Sequence, residues 1–289
     1  GLERVEVLKG PSAFLNGAGP AGSVGGVINT IPKRAGAEPI TQFTPSYTSN
    51  AQFGGHIDFG RRFGDNSEYG VRVNAVYRNG NTPIANQTQE SRLFTLGADY
   101  RGDRVRASVD FGYQYQNLQA PRWFPGILPG VPVPPPPSGI TNFNNPWEFN
   151  KSENFYGAVQ GEVDIVENLT AFASVGGSQR RQQVITTFPP ITTGFGTLAP
   201  DTADITADKM YSLALMTGVR ATFDTGPISH QATIAYNRFW RAWYRGSGQR
   251  DFTIPESNIY NPTYGSAPNP AFFPSPEGAA KRSDTDLAS

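Results

Sequence analysis

Apolar and polar residues alternate along most of this chain, with the period of two that a β-strand requires. Nine separate segments show this alternation, whereas no window of about eleven residues carries the apolar stripe of an amphipathic helix. The pattern therefore predicts an all-β chain. The predicted strands span 40–48, 52–63, 68–78, 91–101, 104–116, 152–165, 169–182, 209–223 and 228–245.

The segment 209–223 is the most informative of these predicted strands. Its apolar face has Leu213 and Leu215 in the middle and the aromatic residues Tyr211 and Phe223 at its two ends. At roughly 3.3 Å per residue and a tilt near 40°, this face would cross about 30 Å along a membrane normal. That distance matches an apolar band with its aromatic girdles, so the segment favours a transmembrane β-barrel.

The connections between the predicted strands alternate in length. Outer-membrane barrels have short periplasmic turns and long external loops, so such an alternation indicates a barrel. A soluble β-sandwich would also show alternating strands, and it remains the alternative fold. The connection 49–51 is an exception, because it is short although it falls on the long-loop side. Short turns occupy 64–67, 102–103, 166–168 and 224–227, and long connections occupy 79–90, 117–151, 183–208 and 246–289.

Composition and charge remove several classes of protein. The 24 Lys and Arg residues balance 24 Asp and Glu residues, so the chain lacks the basic footprint of a nucleic-acid binder. With no Cys and two His, a Cys-ligated or His-rich metal site is excluded. No apolar stretch approaches the roughly 20 residues of a membrane helix, and G-x-S-x-G and H-E-x-x-H motifs are absent from the sequence. We therefore expect neither catalysis nor a bound metal.

The strand count suggests that the sequence is part of a longer protein. Nine antiparallel strands would leave two edges unpaired. An edge exposed to lipid has backbone N–H and C=O groups without partners, so it does not persist in a membrane. We expect the missing strands to follow residue 289.

The first 36 residues differ from the rest and carry the most specific motif. Residues 3–11 read E-R-V-E-V-L-K-G-P, and residues 25–29 read G-G-V-I-N after a glycine-rich stretch. This order resembles the end of the plug domain of TonB-dependent outer-membrane receptors. The resemblance divides the chain into the C-terminal end of a plug, 1–36, and the N-terminal part of a β-barrel, 37–289. Residues 223–230 and 258–262 look like the siderophore receptors of the ferrichrome (ferric hydroxamate) branch.

The resemblance implies a mechanism as well as a fold. Members of this family import bulky ligands across the bacterial outer membrane through a 22-stranded barrel that the plug closes, and they are not enzymes. Energy comes from the inner-membrane TonB–ExbB–ExbD complex, through an N-terminal segment that we expect to lie outside this sequence. The implied ligand is an Fe(III)–siderophore complex, with no covalently bound cofactor, and the remaining partner is outer-membrane lipid.

Candidate ligand contacts follow from the same resemblance. Ferric-siderophore receptors bind through plug apices and through aromatic residues on the external side of the barrel. Asn16 corresponds to a plug apex, although ferrichrome-type members carry Tyr there. The sequence after strand 104–116 matches an external aromatic cluster, which gives the candidates Tyr115, Arg122, Trp123 and Phe124.

Two charged residues of the opening segment have a separate expected role. Arg4 and Glu6 share one face of a strand, and the resemblance implies that they help to hold the plug against the barrel wall. Trp147, Trp240, Trp243 and Tyr244 are weaker ligand candidates, because aromatic residues near a membrane interface serve more often as anchors.

Other functions are compatible with parts of this pattern. The same fold could carry cobalamin, haem or an oligosaccharide instead of a siderophore. A passive porin would need the barrel but not the plug motif. A soluble secreted β-protein would use its Tyr and Trp residues to bind carbohydrate.

Overall fold

The computed structural model describes residues 1–10, 25–48, 50–247, 253–269 and 278–288. These residues form strands and contain no α-helix, which confirms the all-β class. Within the described ranges, no helix is long and apolar enough to cross a membrane.

The strands are numbered along the chain, and four of them contain only two residues each among those described. The longer strands are β1 (Leu2–Lys9), β2 (Gly26–Pro32), β3 (Ile40–Thr48), β4 (Gln52–Phe63), β5 (Tyr69–Asn81), β6 (Thr88–Arg101), β7 (Val105–Gln119), β8 (Phe149–Val166), β9 (Leu169–Thr186), β12 (Asp204–Thr225), β13 (Ile228–Ser247) and β16 (Ala280–Ala288). The two-residue strands are β10 (Thr197–Leu198), β11 (Asp201–Thr202), β14 (Thr253–Ile254) and β15 (Ser257–Asn258).

One antiparallel sheet dominates the described part of the chain. Ten strands lie in the order β3-β4-β5-β6-β7-β8-β9-β12-β13-β16, and β1 and β2 form a separate antiparallel hairpin. All nine strands predicted from the alternation are present in this sheet, several with longer bounds. Strand β1 and strand β2 lie within 1–36, and the division at residue 36 stays a prediction.

The strand β16 corrects the prediction that 246–289 is one long loop. Its sequence, AKRSDTDLA, has few apolar residues and therefore gives no period-two hydrophobic signal. The strand pairs with β13, and the guanidinium of Arg238 contacts the carboxylate of Asp286 at 2.6 Å. The pairing with β13 therefore defines this segment as a strand, because its own hydrophobic pattern does not.

Turn lengths alternate between the two ends of the sheet, as the sequence predicted. Short turns at 64–68, 102–104, 167–168 and 226–227 lie at one end, and the longer connections lie at the other. The connection between β3 and β4 is short although it lies at the long-loop end. This has a local cause, because Asn50 and Ala51 adopt φ values of 61° and 63°. Two successive residues with positive φ make a tight hairpin turn with the twist that antiparallel strands favour.

The two faces of the sheet differ in chemistry. The chain that follows β2 lies against one face, which bears Asp58, Arg72 and Asp110, and we call this face the inner wall. The opposite face, here the outer face, bears Ile57 and Val109, whose side chains are exposed in the isolated chain. An apolar outer face and a polar inner wall are typical of a transmembrane barrel.

The buried apolar clusters lie at the long-loop end of the sheet and in the connections beyond it. Ile185, Ala203 and Ile205 form one cluster, packed against Trp147 and Phe149. A second cluster contains Ile191, Leu198 and Ile259, packed against Val131 and Phe143. The β10–β15 and β11–β14 pairs join the connection 187–203 to 253–258, so these connections form one packed loop layer.

Candidate functional site

The chain leaving the β1–β2 hairpin is fastened to the inner wall by two ion pairs. The Nζ of Lys33 lies 2.8 Å from the Asp58 carboxylate on β4. The guanidinium of Arg34 lies 2.5 Å from the Asp110 carboxylate on β7. Because Asp58 is only 3% exposed, its charge needs a partner to be stable there.

Further arginines of the wall complete this group. Arg72 donates to both carboxylate oxygens of Asp58, at 2.6 and 2.9 Å. Arg62 pairs with Asp99 at 2.8 Å and also donates to the carbonyl oxygen of Ala35 at 3.1 Å. The wall therefore holds the backbone of this segment as well as its side chains. We call this group the ion cluster: Lys33, Arg34, Asp58, Arg62, Arg72, Asp99 and Asp110.

The predicted plug contact at Arg4 and Glu6 differs from this arrangement. The two side chains pair with each other at 2.8 Å, and Asn29 donates to Glu6 at 3.0 Å. Arg4 is 65% exposed, and within the described residues neither side chain has a hydrogen bond or ion pair to the sheet. Sequence reasoning named Arg4 and Glu6 and did not identify Lys33 and Arg34 as contacts with the wall.

The candidates after β7 separate into packed and exposed side chains. The backbone N–H of Trp123 donates to the Asn144 side-chain oxygen at 3.1 Å, and the Trp123 ring lies 5.8 Å from the ring of Phe188. Arg122 donates to the carbonyl oxygens of Gly139 and Thr141, at 2.8 and 3.1 Å. These two residues therefore build the loop layer.

Phe124 has the opposite environment, because its side chain is 89% exposed. Its ring is therefore accessible on the long-loop side, and its role as a ligand contact stays a prediction. The predicted contact at Asn16 lies outside the described residues.

Tyr115 lies on the outer face and is not brought together with Trp123. It alternates with Gln114 and Gln116, and it shares the face of Val109. Its ring lies 5.1 Å from the Arg92 guanidinium and 5.7 Å from the Lys151 ammonium group. These cation–π contacts place Tyr115 on the side of the sheet away from the ion cluster.

The loop layer contains a buried carboxylate that the sequence did not single out. Glu148 is 0% exposed. Its carboxylate accepts hydrogen bonds from the backbone N–H of Asn145 at 3.0 Å and from the Thr187 hydroxyl at 2.7 Å. The side chains of Asn144 and Asn145 donate at 3.0 and 2.9 Å. Such a set of donors can hold a buried charge without a cation, and it joins 144–148 to the chain after β9.

The aromatic residues named as interface anchors occupy three environments. Trp147 donates from Nε1 to the carbonyl oxygen of Gly265 at 2.9 Å, so it belongs to the loop layer and not to a membrane interface. Trp240 and Tyr244 lie on the outer face, opposite Leu213 and Lys209 in the β12–β13 register. Trp243 lies on the inner wall. Its position in β13 is odd-numbered, whereas Trp240 and Tyr244 are even-numbered, so alternation places it on the opposite face.

Three arginines surround Trp243 on the inner wall near the long-loop end. Met210 is opposite Trp243 on one side and opposite Arg180 on the other. The Arg245 guanidinium lies 5.9 Å from the Trp243 ring, and its Nε lies 3.7 Å from the Asp208 carboxylate. The Nε of Arg241 is buried and has no hydrogen-bond partner among the described residues. We call Arg180, Arg241, Trp243 and Arg245 the arginine patch.

A resident metal ion has no evident position in the described part of the chain. No group of three or more His, Asp or Glu side chains there could hold one.

Comparisons with known proteins agree with this architecture. No protein-family model matches the chain. The ferrichrome receptor FcuA of Yersinia enterocolitica is 40% identical over 272 residues, which cover 90% of this chain and 34% of that protein. The ferrichrome outer membrane transporter/phage receptor of Escherichia coli K12 is 22% identical over 291 aligned residues, covering 90% of this chain and 38% of that protein. The chain thus spans about a third of the length of these curated relatives.

Solved structures give the same result. The ferric preacinetobactin receptor BauA of Acinetobacter baumannii superposes with a TM-score of 0.88 at 35% identity, over 99% of this chain and 42% of that one. The ferric-catecholate import receptor Fiu of E. coli K12 superposes with a TM-score of 0.76 over 93% of this chain and 40% of that one. Its 21% identity supports the fold alone. These similarities confirm the resemblance and the barrel fold predicted from the sequence.

Proposed function

We propose that this protein, whose chain is homologous to a segment of the TonB-dependent siderophore receptors, imports a ferric siderophore across the bacterial outer membrane. The ligand is cargo and not a cofactor. The relatives named above are receptors and transporters, which supports a transport role and no catalytic one.

The ion cluster is the observation that carries this proposal. The inner wall presents Asp58 and Asp110 to two cations that directly follow the β1–β2 hairpin. A wall that holds the chain of a plug by buried ion pairs differs from that of a passive pore, because its lumen is occupied. Release of such a plug requires work, which in this proposal comes from the TonB–ExbB–ExbD complex.

The outer face supports the proposed location in the outer membrane. Phe53, Ile57, Val109 and Leu213 are exposed in the isolated chain, at positions where a soluble protein would bury them. Outer-membrane lipid is the partner that covers such a face. The arrangement disfavours the soluble secreted alternative.

Ligand capture in this proposal begins at the long-loop end. Phe124 offers an exposed ring there, and Trp123 fixes the segment that carries it. Asn16, at the plug apex, stays a prediction from the resemblance.

Uptake of iron by cells tests the proposal. Deletion of the full-length gene in iron-starved cells should abolish accumulation of radioactive iron from one ferric siderophore, and a plasmid copy should restore it. Deletion of tonB should cause the same loss. If iron uptake is unchanged and uptake of cobalamin, haem or an oligosaccharide is impaired, the cargo is that compound and not a ferric siderophore. Steady ion conductance by the purified full-length protein in a planar bilayer would instead indicate a porin.

A further inference from the structure

The inner wall carries two groups of charges that differ in how they are balanced. In the ion cluster, each of the three aspartates lies within 3.0 Å of a Lys or Arg nitrogen. In the arginine patch, Arg245 faces Asp208 at 3.7 Å, while Arg180 and Arg241 have no carboxylate within ion-pair distance among the described residues. The next acidic side chain of β12 on this face is Asp204, which lies two inner-wall positions further towards the loop layer. The patch is therefore net positive.

The four side chains are close enough to act on one ligand. Trp243 and Arg180 are separated by two strand spacings through Met210, which is about 10 Å. Arg241 and Arg245 lie on either side of Trp243 along β13, each about 7 Å away. An area of this size matches one face of a bulky metal chelate, and the indole offers an apolar surface between the charges.

The unused donor of Arg241 needs a partner. Its Nε atom is buried, and leaving a buried donor of a charged group unpaired is costly. Arg180 uses one guanidinium nitrogen to donate to Gln182 at 2.7 Å, which leaves its remaining donors available. Anionic oxygens of a ligand would accept charge-assisted hydrogen bonds from these donors.

We propose that the arginine patch selects ferric complexes that carry net negative charge, with Arg241 and Arg180 donating to anionic oxygens and Trp243 packing against the chelating rings. This inference rests on the proposed import of a ferric siderophore and names its charge class. Three hydroxamates balance the charge of Fe(III), whereas three catecholates leave the complex anionic. The patch therefore favours the anionic class over an uncharged tris-hydroxamate, and this inference departs from the hydroxamate class that the resemblance to the ferrichrome branch implies.

Binding of two defined probes to the full-length receptor in detergent tests this selection. Isothermal titration with an anionic ferric tris-catecholate and with an uncharged ferric tris-hydroxamate gives the two dissociation constants. We expect the anionic complex to bind at least about tenfold more tightly, which corresponds to one charge-assisted hydrogen bond. Arg241→Gln should reduce that preference about tenfold or more, and Arg241→Lys should keep part of it. Raising the salt concentration should weaken only the anionic complex.

Arg238→Gln is the matched control, because Arg238 lies on the outer face of the same strand and pairs with Asp286. It should leave both dissociation constants unchanged. If Arg241→Gln does not fold, which its electrophoretic mobility before and after heating would show, Arg180→Gln takes its place. Equal binding of the two probes, or equal weakening of both by Arg241→Gln, overturns the charge selection and leaves ferric-siderophore import standing. Failure of the wild-type receptor to bind any ferric complex would overturn the import proposal itself.

Discussion

Arg34 and Asp110 connect two parts of the chain that are far apart in sequence: the guanidinium that follows the β1–β2 hairpin lies 2.5 Å from the carboxylate on β7. The same arginine is held through its backbone, since Arg72 donates to its carbonyl oxygen at 3.4 Å. Side chain and main chain are thus both fixed to the inner wall, and each can be tested by substitution.

Asp58→Asn should destabilise the protein, because it removes the carboxylate shared by Lys33 and Arg72. Removing one member of a buried ion pair typically costs about 3–5 kcal/mol. Thermal denaturation of the full-length receptor in detergent measures this loss. Asp286→Asn, in an exposed pair with Arg238, is the control and should leave the melting temperature unchanged. Equal melting temperatures for the two variants would show that the ion pairs of Asp58 contribute little to stability.

Arg34→Gln should loosen the segment between the hairpin and the sheet without unfolding the barrel. Its ion pair to Asp110 is lost, while Lys33 still contacts Asp58. Hydrogen exchange monitored by mass spectrometry should show faster exchange in peptides that cover 33–36. Arg4→Gln should not change exchange there, because Arg4 pairs with Glu6 on the exposed side of the hairpin. Unchanged exchange in Arg34→Gln would mean that other contacts hold the segment.

Glu148→Gln should destabilise the loop layer selectively. The amide would place an NH₂ group where Asn145 and Thr187 now donate to a carboxylate. Leaving buried donors unsatisfied costs roughly 1–3 kcal/mol each. Limited proteolysis of the folded receptor should then cut within 120–148 at a lower protease concentration. Glu256→Gln is the control, since Glu256 is exposed. Equal resistance of both variants would show that the hydrogen bonds to Glu148 are dispensable.

Trp123→Ala and Phe124→Ala should separate packing from ligand contact. Trp123→Ala removes the ring that contacts Phe188 and should cost about 3 kcal/mol of stability, at the low end for a Trp-to-Ala change. Phe124→Ala should leave the melting temperature unchanged and weaken binding of the ferric ligand, because its ring is exposed. Calorimetric titration and thermal melts of both variants measure the two effects. Wild-type affinity in Phe124→Ala would remove Phe124 from the ligand surface.

Most of the sheet could be predicted from the sequence because its strands are long and their two faces differ in polarity. Strand 209–223 shows this clearly, with its apolar face read from the pattern alone. The strand β16 escaped prediction because its few apolar residues give no period-two signal, and only its pairing with β13 defines it.

The site was less predictable because its contacts join residues that are distant in sequence. Alternation places Trp243 and Trp240 on opposite faces of β13. Which of the two lies on the inner wall could be assigned only from the structure. No local pattern shows that Arg34 meets Asp110, or that Glu148 is surrounded by donors from two connections. Such partners are fixed by the fold and not by spacing.

If the proposed function is right and the long-loop end faces outward, the loop layer is the part of the protein that antibodies would recognise. Its second apolar cluster draws on three connections: Ile191 and Leu198 lie between β9 and β12, Ile259 lies between β13 and β16, and Val131 and Phe143 lie between β7 and β8. Antibodies against this surface would therefore bind epitopes assembled from several segments. A synthetic peptide that copies a single connection would present a different shape, whereas a folded graft that keeps the three connections on a short barrel would preserve the native antigen.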